Sequence, residues 1–162
     1  LRQESKESEG DPQLKGRIRA MQREAARRRM MQEVPKADVI VTNPTHYAVA
    51  LRYQSNSMTA PKVVAKGAHL IAERIIELGK ENRVAILRTP PFARALYFNA
   101  EIGQEIPAKL YTAAAEVLAY VYQLKTYQTE GGIAPTEPGE LPVPADMDPE
   151  NKNKGNQLEA GL

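Results

Sequence analysis

The stretch ADVIVTNPTHYAVALRY, Ala37 to Tyr53, decides the fold. Val39–Thr42 is short, apolar and β-branched, the pattern of a buried strand. From His46 the side chains alternate. Tyr47, Val49, Leu51 and Tyr53 point one way and Ala48, Ala50 and Arg52 the other, which predicts a second strand. Between the two sit Asn43, Pro44, Thr45 and His46. A tight hairpin ordinarily uses Asn-Gly or Asp-Gly. Asn-Pro therefore either makes a turn of another kind or does chemistry on its own backbone.

Proline decides which chemistry is open. Deamidation of asparagine needs the N–H of the following residue, and proline has none. The other ring closure remains. The Asn43 side-chain nitrogen attacks its own backbone carbonyl, a succinimide forms, and the Asn43–Pro44 bond breaks with the Pro44 amine as leaving group. A carboxamide is a poor nucleophile, so the fold must help. Holding nitrogen and carbonyl in near-attack geometry is worth on the order of 7–11 kcal/mol. A good oxyanion donor adds about 3–4 kcal/mol. Strain at the turn can twist the scissile amide out of resonance. Thr45 offers a hydroxyl and a backbone N–H for the oxyanion, and the imidazole of His46 can relay a proton near neutral pH. The plain alternative is that Asn, Pro and Thr are ordinary turn residues and His46 is solvated. The residues alone leave both readings open.

Outward from this hairpin the pattern turns mixed. Gln54–Pro61 is a turn-rich loop, and Lys62–Gly67 predicts a third strand. Ala68, Ile71, Ala72, Ile75 and Leu78 mark one helical face, closed by Gly79. Arg83–Leu87 predicts a fourth strand. Pro90-Pro91 precedes a short helix, Phe92–Asn99, and Pro107 suits the first turn of a last helix with Leu110, Ala114, Val117, Val121 and Leu124 on its buried side. Upstream, residues 1–12 read as disordered. Gln13–Glu33 is a helix with a thin apolar stripe, Leu14, Ile18, Met21 and Ala25, ended by Pro35. The expected class is α/β or α+β: a small mixed sheet of about four strands surrounded by helices, with a disordered C-terminal tail. Three regions follow: a basic, partly helical linker (1–36), a compact domain (37–127), and a flexible acidic, Pro-rich tail (128–162).

Charge follows the same division. Residues 1–36 hold ten Lys/Arg and six Asp/Glu, residues 37–127 ten and seven, and residues 128–162 two and seven, giving +4, +3 and −5 for the total of +2. With no cysteine, disulfides, thiol nucleophiles and thiolate metal sites are excluded. No apolar run approaches the roughly 18–20 residues that span a bilayer. The chain opens at Leu1 rather than Met, so it is expected to be part of a longer protein.

Four segments in order, ADVIVTNPTHYAVAL (Ala37–Leu51), APKVVAKGAHLIAERI (Ala60–Ile75), TPPFARALY (Thr89–Tyr97) and EIGQEIPAKLYTAAAEVLAYVYQLK (Glu101–Lys125), resemble the FlhB/YscU/SpaS family of type III secretion proteins, its flagellar branch in particular. The resemblance covers roughly Val34 to Lys125 and includes an intact Asn-Pro-Thr-His. It implies a membrane-embedded half upstream in the bacterial inner membrane, and a cytoplasmic sheet with surrounding helices entered by a linker helix. It also implies self-cleavage between Asn43 and Pro44, a single turnover on the protein itself, after which the pieces stay together. Asn43 would be the nucleophile and Pro44 the new N-terminus, with Thr45 and His46 positioning the turn and moving protons. Cleavage would switch export from rod and hook proteins to filament proteins. The implied partners are these substrates, the hook-length control protein and the membrane subunits of the export gate; no cofactor is implied. The competing reading is a non-cleaving docking domain for export substrates.

Other features carry weaker readings. The arginine-rich residues 15–29 suit anionic lipid headgroups. They lack the aromatics or zinc ligands of a nucleic-acid module, so no nucleic acid is expected. Lys66-Gly67 follows a strand but lacks phosphate-loop spacing. Pro90, Pro91, Phe92, Ala93, Leu96 and Tyr97 form a candidate docking patch, against core packing of Phe92 and Leu96. His69 reads as a helix-surface residue. Two histidines without cysteine give a metal site little support.

Overall fold

The computed structural model describes residues 10–151. It is an α+β fold in three layers. The strands are β1 (Val39–Asn43), β2 (Tyr47–Arg52), β3 (Lys62–Ala68) and β4 (Ala85–Arg88). They form one mixed sheet in the order β3-β2-β1-β4. β2 lies antiparallel to β1 and β3, while β4 runs parallel to β1. The longer α-helices are α1 (Pro12–Glu33), α2 (Leu70–Glu81), α3 (Pro90–Asn99) and α4 (Tyr111–Glu130).

Both faces of the sheet are covered, which is why three successive residues of β1, Val39 to Val41, are apolar. Val39, Val41, Val49 and Leu51 face the larger core, with Phe92 and Leu96 of α3 and Val117 and Val121 of α4. Ile40, Ala48 and Ala50 face a smaller core with Ala72 and Ile75 of α2. The small alanines of β2 on that face let α2 sit close. A register shift between Ala50 and Leu51 breaks the β2–β3 ladder.

Several boundaries differ from the sequence reading. Gly79 does not end α2, which runs on to Glu81. It is buried against β1, where a Cβ would meet Ile40 Cδ1 at 2.3 Å. β4 begins at Ala85, after a turn with Arg83 at φ 58°. α3 begins two residues earlier than expected, with Pro90 in its first turn, where the missing N–H costs nothing. Pro107 precedes a 3-10 turn, Ala108–Leu110, that leads into α4.

α1 is capped by Asp11, whose carboxylate accepts from the Gln13 N–H at 3.0 Å. Its stripe is not the packed face: Leu14, Ile18 and Met21 are exposed, and only Met30 near its end is buried. The helix projects past the sheet, so contact is confined to its last turns and to Val34, which is fully buried. Of the segment expected to be disordered, residues 1–9 lie outside the described part.

The described portion of the acidic tail packs against the larger core through Leu141, Val143 and Met147. Asp148 is fully buried and accepts two hydrogen bonds from Arg94 of α3, at 2.9 and 3.0 Å. These bonds hold the guanidinium above its ordinary pKa. Asn99 Nδ2 donates to the Met147 carbonyl at 2.7 Å. Residues 152–162 lie outside the described part.

Candidate functional site

The hairpin between β1 and β2 closes through residues 44–46, with Asn43 paired to Tyr47. The His46 N–H donates to the Asn43 carbonyl at 3.0 Å. Pro44 occupies the second place of this four-residue turn, and Thr45 the third with φ 69°. Proline second and positive φ third is the signature of a type II turn, where glycine or asparagine is the usual third residue. A β-branched threonine there is strained by about 1–3 kcal/mol. Asn43 is half-buried, while Pro44, Thr45 and His46 are exposed.

The donor to the Asn43 carbonyl in this turn is the His46 backbone N–H. It points at the oxygen that would gain charge if the Asn43 carbonyl carbon were attacked. The Asn43 carboxamide makes no hydrogen bond among the described residues. The His46 ring lies over the turn, Nδ1 being 3.2 Å from Thr45 Oγ1 and 3.3 Å from the Pro44 carbonyl oxygen. With its proton on Nδ1 the ring donates to Pro44. With the proton on Nε2, Nδ1 accepts from the Thr45 hydroxyl.

His69, read from the sequence as a helix-surface residue, is exposed at the start of α2 and stands beside His46, a neighbour the sequence reading did not find. The β2–β3 register pairs Tyr47 with Ala68, and the next step brings His69 beside His46. The His69 N–H donates to the His46 carbonyl at 3.0 Å, and the ring centroids are 6.2 Å apart. His69 also has a positive φ of 54°. Only strand pairing across the intervening loop carries this signal. On the other side Tyr47 stacks on Tyr97 at 4.5 Å and meets Phe98 edge-on at 5.4 Å. This aromatic group fixes the start of β2.

The patch proposed at residues 90–97 needs correction. Phe92, Ala93 and Leu96 are fully buried, because α3 turns its apolar face to the sheet. Only Pro91 of that set is exposed, with Pro90 and Tyr97 half-buried. Lys66 is committed elsewhere. Its ammonium donates to the carbonyls of Tyr97 and Ala100 at 2.9 and 2.7 Å, satisfying the C-terminal end of α3. No group of three or more metal-ligating side chains gathers among the described residues, and no helix there is long and apolar enough to cross a membrane.

Comparison with known proteins places this geometry among relatives. The sequence pattern of the FlhB HrpN YscU SpaS family matches residues 1–121. The flagellar biosynthetic protein FlhB of Salmonella typhimurium is 66% identical over 148 residues, covering 91% of this chain but only 39% of the relative. The chain thus spans well under half of the relatives it matches. The crystal structure of the cytoplasmic domain of FlhB from Shewanella putrefaciens superposes with a TM-score of 0.71 at 48% identity, over 75% of this chain and 95% of that one. A mutated EscU C-terminal domain, with an asparagine replaced by alanine, gives a TM-score of 0.55 at 29% identity, over 57% of this chain and 92% of that one. In another solved EscU variant the proline immediately after that asparagine is replaced by alanine.

Proposed function

Because the chain belongs to the FlhB HrpN YscU SpaS family, we propose that its Asn43-Pro44 turn is a self-cleavage site in a subunit of a flagellar export apparatus. The observation that carries this is the His46 N–H, 3.0 Å from the Asn43 carbonyl oxygen, combined with an unengaged Asn43 carboxamide. The Asn43 nitrogen closes on its own carbonyl carbon. The oxyanion forms against the His46 N–H, a preorganised donor. The nitrogen gives up a proton, the C–N bond to Pro44 breaks, and the Pro44 nitrogen takes a proton. The products are a C-terminal succinimide and a free proline amine, and His46, whose ring lies over the turn, assists the proton movement in this reading. The EscU variants substitute an asparagine and the proline that follows it, a pair of the same chemistry.

Cleavage acts as a switch from rod and hook substrates to filament substrates. The chain works at the cytoplasmic face of the inner membrane, beside the membrane subunits of the export gate and the hook-length control protein. Residues 1–36 serve as linker, 37–127 as the self-cleaving domain and 128–162 as its tail. The exposed stripe of α1, flanked by Arg17 and Arg28, suits anionic headgroups. Salt-insensitive binding of a residue 13–33 peptide to anionic vesicles would count against that contact.

The test of cleavage is intact-mass analysis of the purified chain. The wild type is expected to break after Asn43, and Asn43→Ala to remain whole. A wild-type chain that stays uncut while folded leaves the docking domain as the reading. That second reading has one observation in its favour, an apolar groove of about 380 Å3 where Ala60 and Pro61 face Ala115 and Leu118 of α4.

A further inference from the structure

We propose that the groove between α1 and the β3 side of the sheet is a docking site for an acidic, amphipathic segment of a partner protein. The groove encloses about 820 Å3. Arg23, Arg27 and Arg29 of α1 line one wall, and Arg52 and Lys62 the other. None of these five cations forms an ion pair among the described residues. The one carboxylate on the rim, Glu33, is paired with Lys36 at 3.4 Å. Between the cations the lining is apolar: Met30, Met58, Val64, Ile71 and Ile102.

That combination selects an occupant. Unneutralised arginines on both walls call for carboxylates, which they can hold bidentately. The apolar floor calls for aliphatic side chains, and its two methionines adapt to varied shapes. A nucleic acid would find no aromatic side chain in the lining to stack on. A flat membrane surface cannot enter a concave cleft. The exposed stripe of α1 also lies elsewhere: Leu14, Ile18 and Met21 respectively precede Arg23, Arg27 and Met30 by about two and a half turns, which puts them on the opposite side of the helix from those three, with Arg29 at the edge between.

The walls lie on either side of the scissile bond. α1 precedes Asn43, and every other lining residue follows Pro44. An occupant would therefore bridge the two pieces. That consequence rests on the cleavage reading, whereas the docking does not.

The test uses the full chain carrying Asn43→Ala, so that failure of cleavage has no bearing on it. The probe is a labelled helical peptide of about 14 residues with Glu on one face and Leu on the other, followed by fluorescence anisotropy. The expected result is binding that weakens at least about tenfold when every Glu becomes Gln, when Arg27→Glu or Arg52→Glu is introduced, and between roughly 50 and 500 mM salt. Met58→Glu is expected to weaken it similarly, and Lys80→Glu, on the exposed side of α2, to leave it unchanged. Circular dichroism confirms that each variant is folded. Equal binding of the Glu and Gln peptides, or indifference to Arg52→Glu in a folded chain, overturns the proposal. So does Arg52-dependent capture by phosphatidylglycerol vesicles without peptide binding, which would make the groove a lipid site.

Discussion

Thr45 is the residue at which structure and chemistry meet. Its φ of 69° is tolerated because β1 and β2 pair right up to the turn and leave only three residues to close it. Such strain costs about 1–3 kcal/mol and raises the ground state of the bond that is proposed to break. Thr45→Gly relaxes the turn. In an Asn43→Ala background it is expected to raise thermal stability by up to about 1 kcal/mol, after the entropy cost of glycine. With Asn43 present it should slow cleavage, followed by timed mass analysis. A faster cut would mean that the turn's strain plays no part. The tetrapeptide could be read as special from its composition. The hydrogen bond from the His46 N–H to the Asn43 carbonyl could not, because a backbone N–H has no sequence signature.

At the scale of elements, the conspicuous Lys66-Gly67 pair is committed to packing. Lys66 closes the end of α3, and Gly67 permits contact between β3 and α2. A Cβ on Gly67 would lie 2.2 Å from Ile71 Cγ2 and 2.8 Å from Ile71 Cβ. The second contact cannot be relieved by rotating the side chain. Gly67→Ala is therefore expected to cost about 1–3 kcal/mol, measured by denaturant unfolding of the Asn43→Ala chain. An unchanged midpoint would show that α2 can slide. Periodicity found each of these elements, but their ends moved, by a residue or two at most of them and by four at the start of α4, wherever packing overrode local signals. Gly79 reads as a stop and is instead a close approach to Ile40.

For the whole molecule, topology decides what a cut would do. β1 lies inside the sheet, hydrogen-bonded to β2 on one side and β4 on the other. Val39, Ile40 and Val41 are fully buried, each worth roughly 1.5–3 kcal/mol relative to exposure. Breaking the chain after Asn43 removes none of these contacts. The two pieces are expected to co-elute on gel filtration and to separate only in denaturant. Separation under native conditions would contradict this placement of β1. The tail has its own anchor in Asp148, held by Arg94 at the far end of a long polar stretch. One buried carboxylate in such a stretch has no periodic pattern to betray it.

The sequence by itself determined the strands and helices, since periodicity and punctuation are local, and it singled out Asn43-Pro44, since the chemistry of that pair is local too. Only the tertiary structure decided that β1 is central, that His69 stands beside His46, that Phe92 and Leu96 are core, and that two basic walls face each other across an apolar floor. Each of these depends on which distant segments pair and which faces they present, and burial is a property of the packed whole, not of any single stretch.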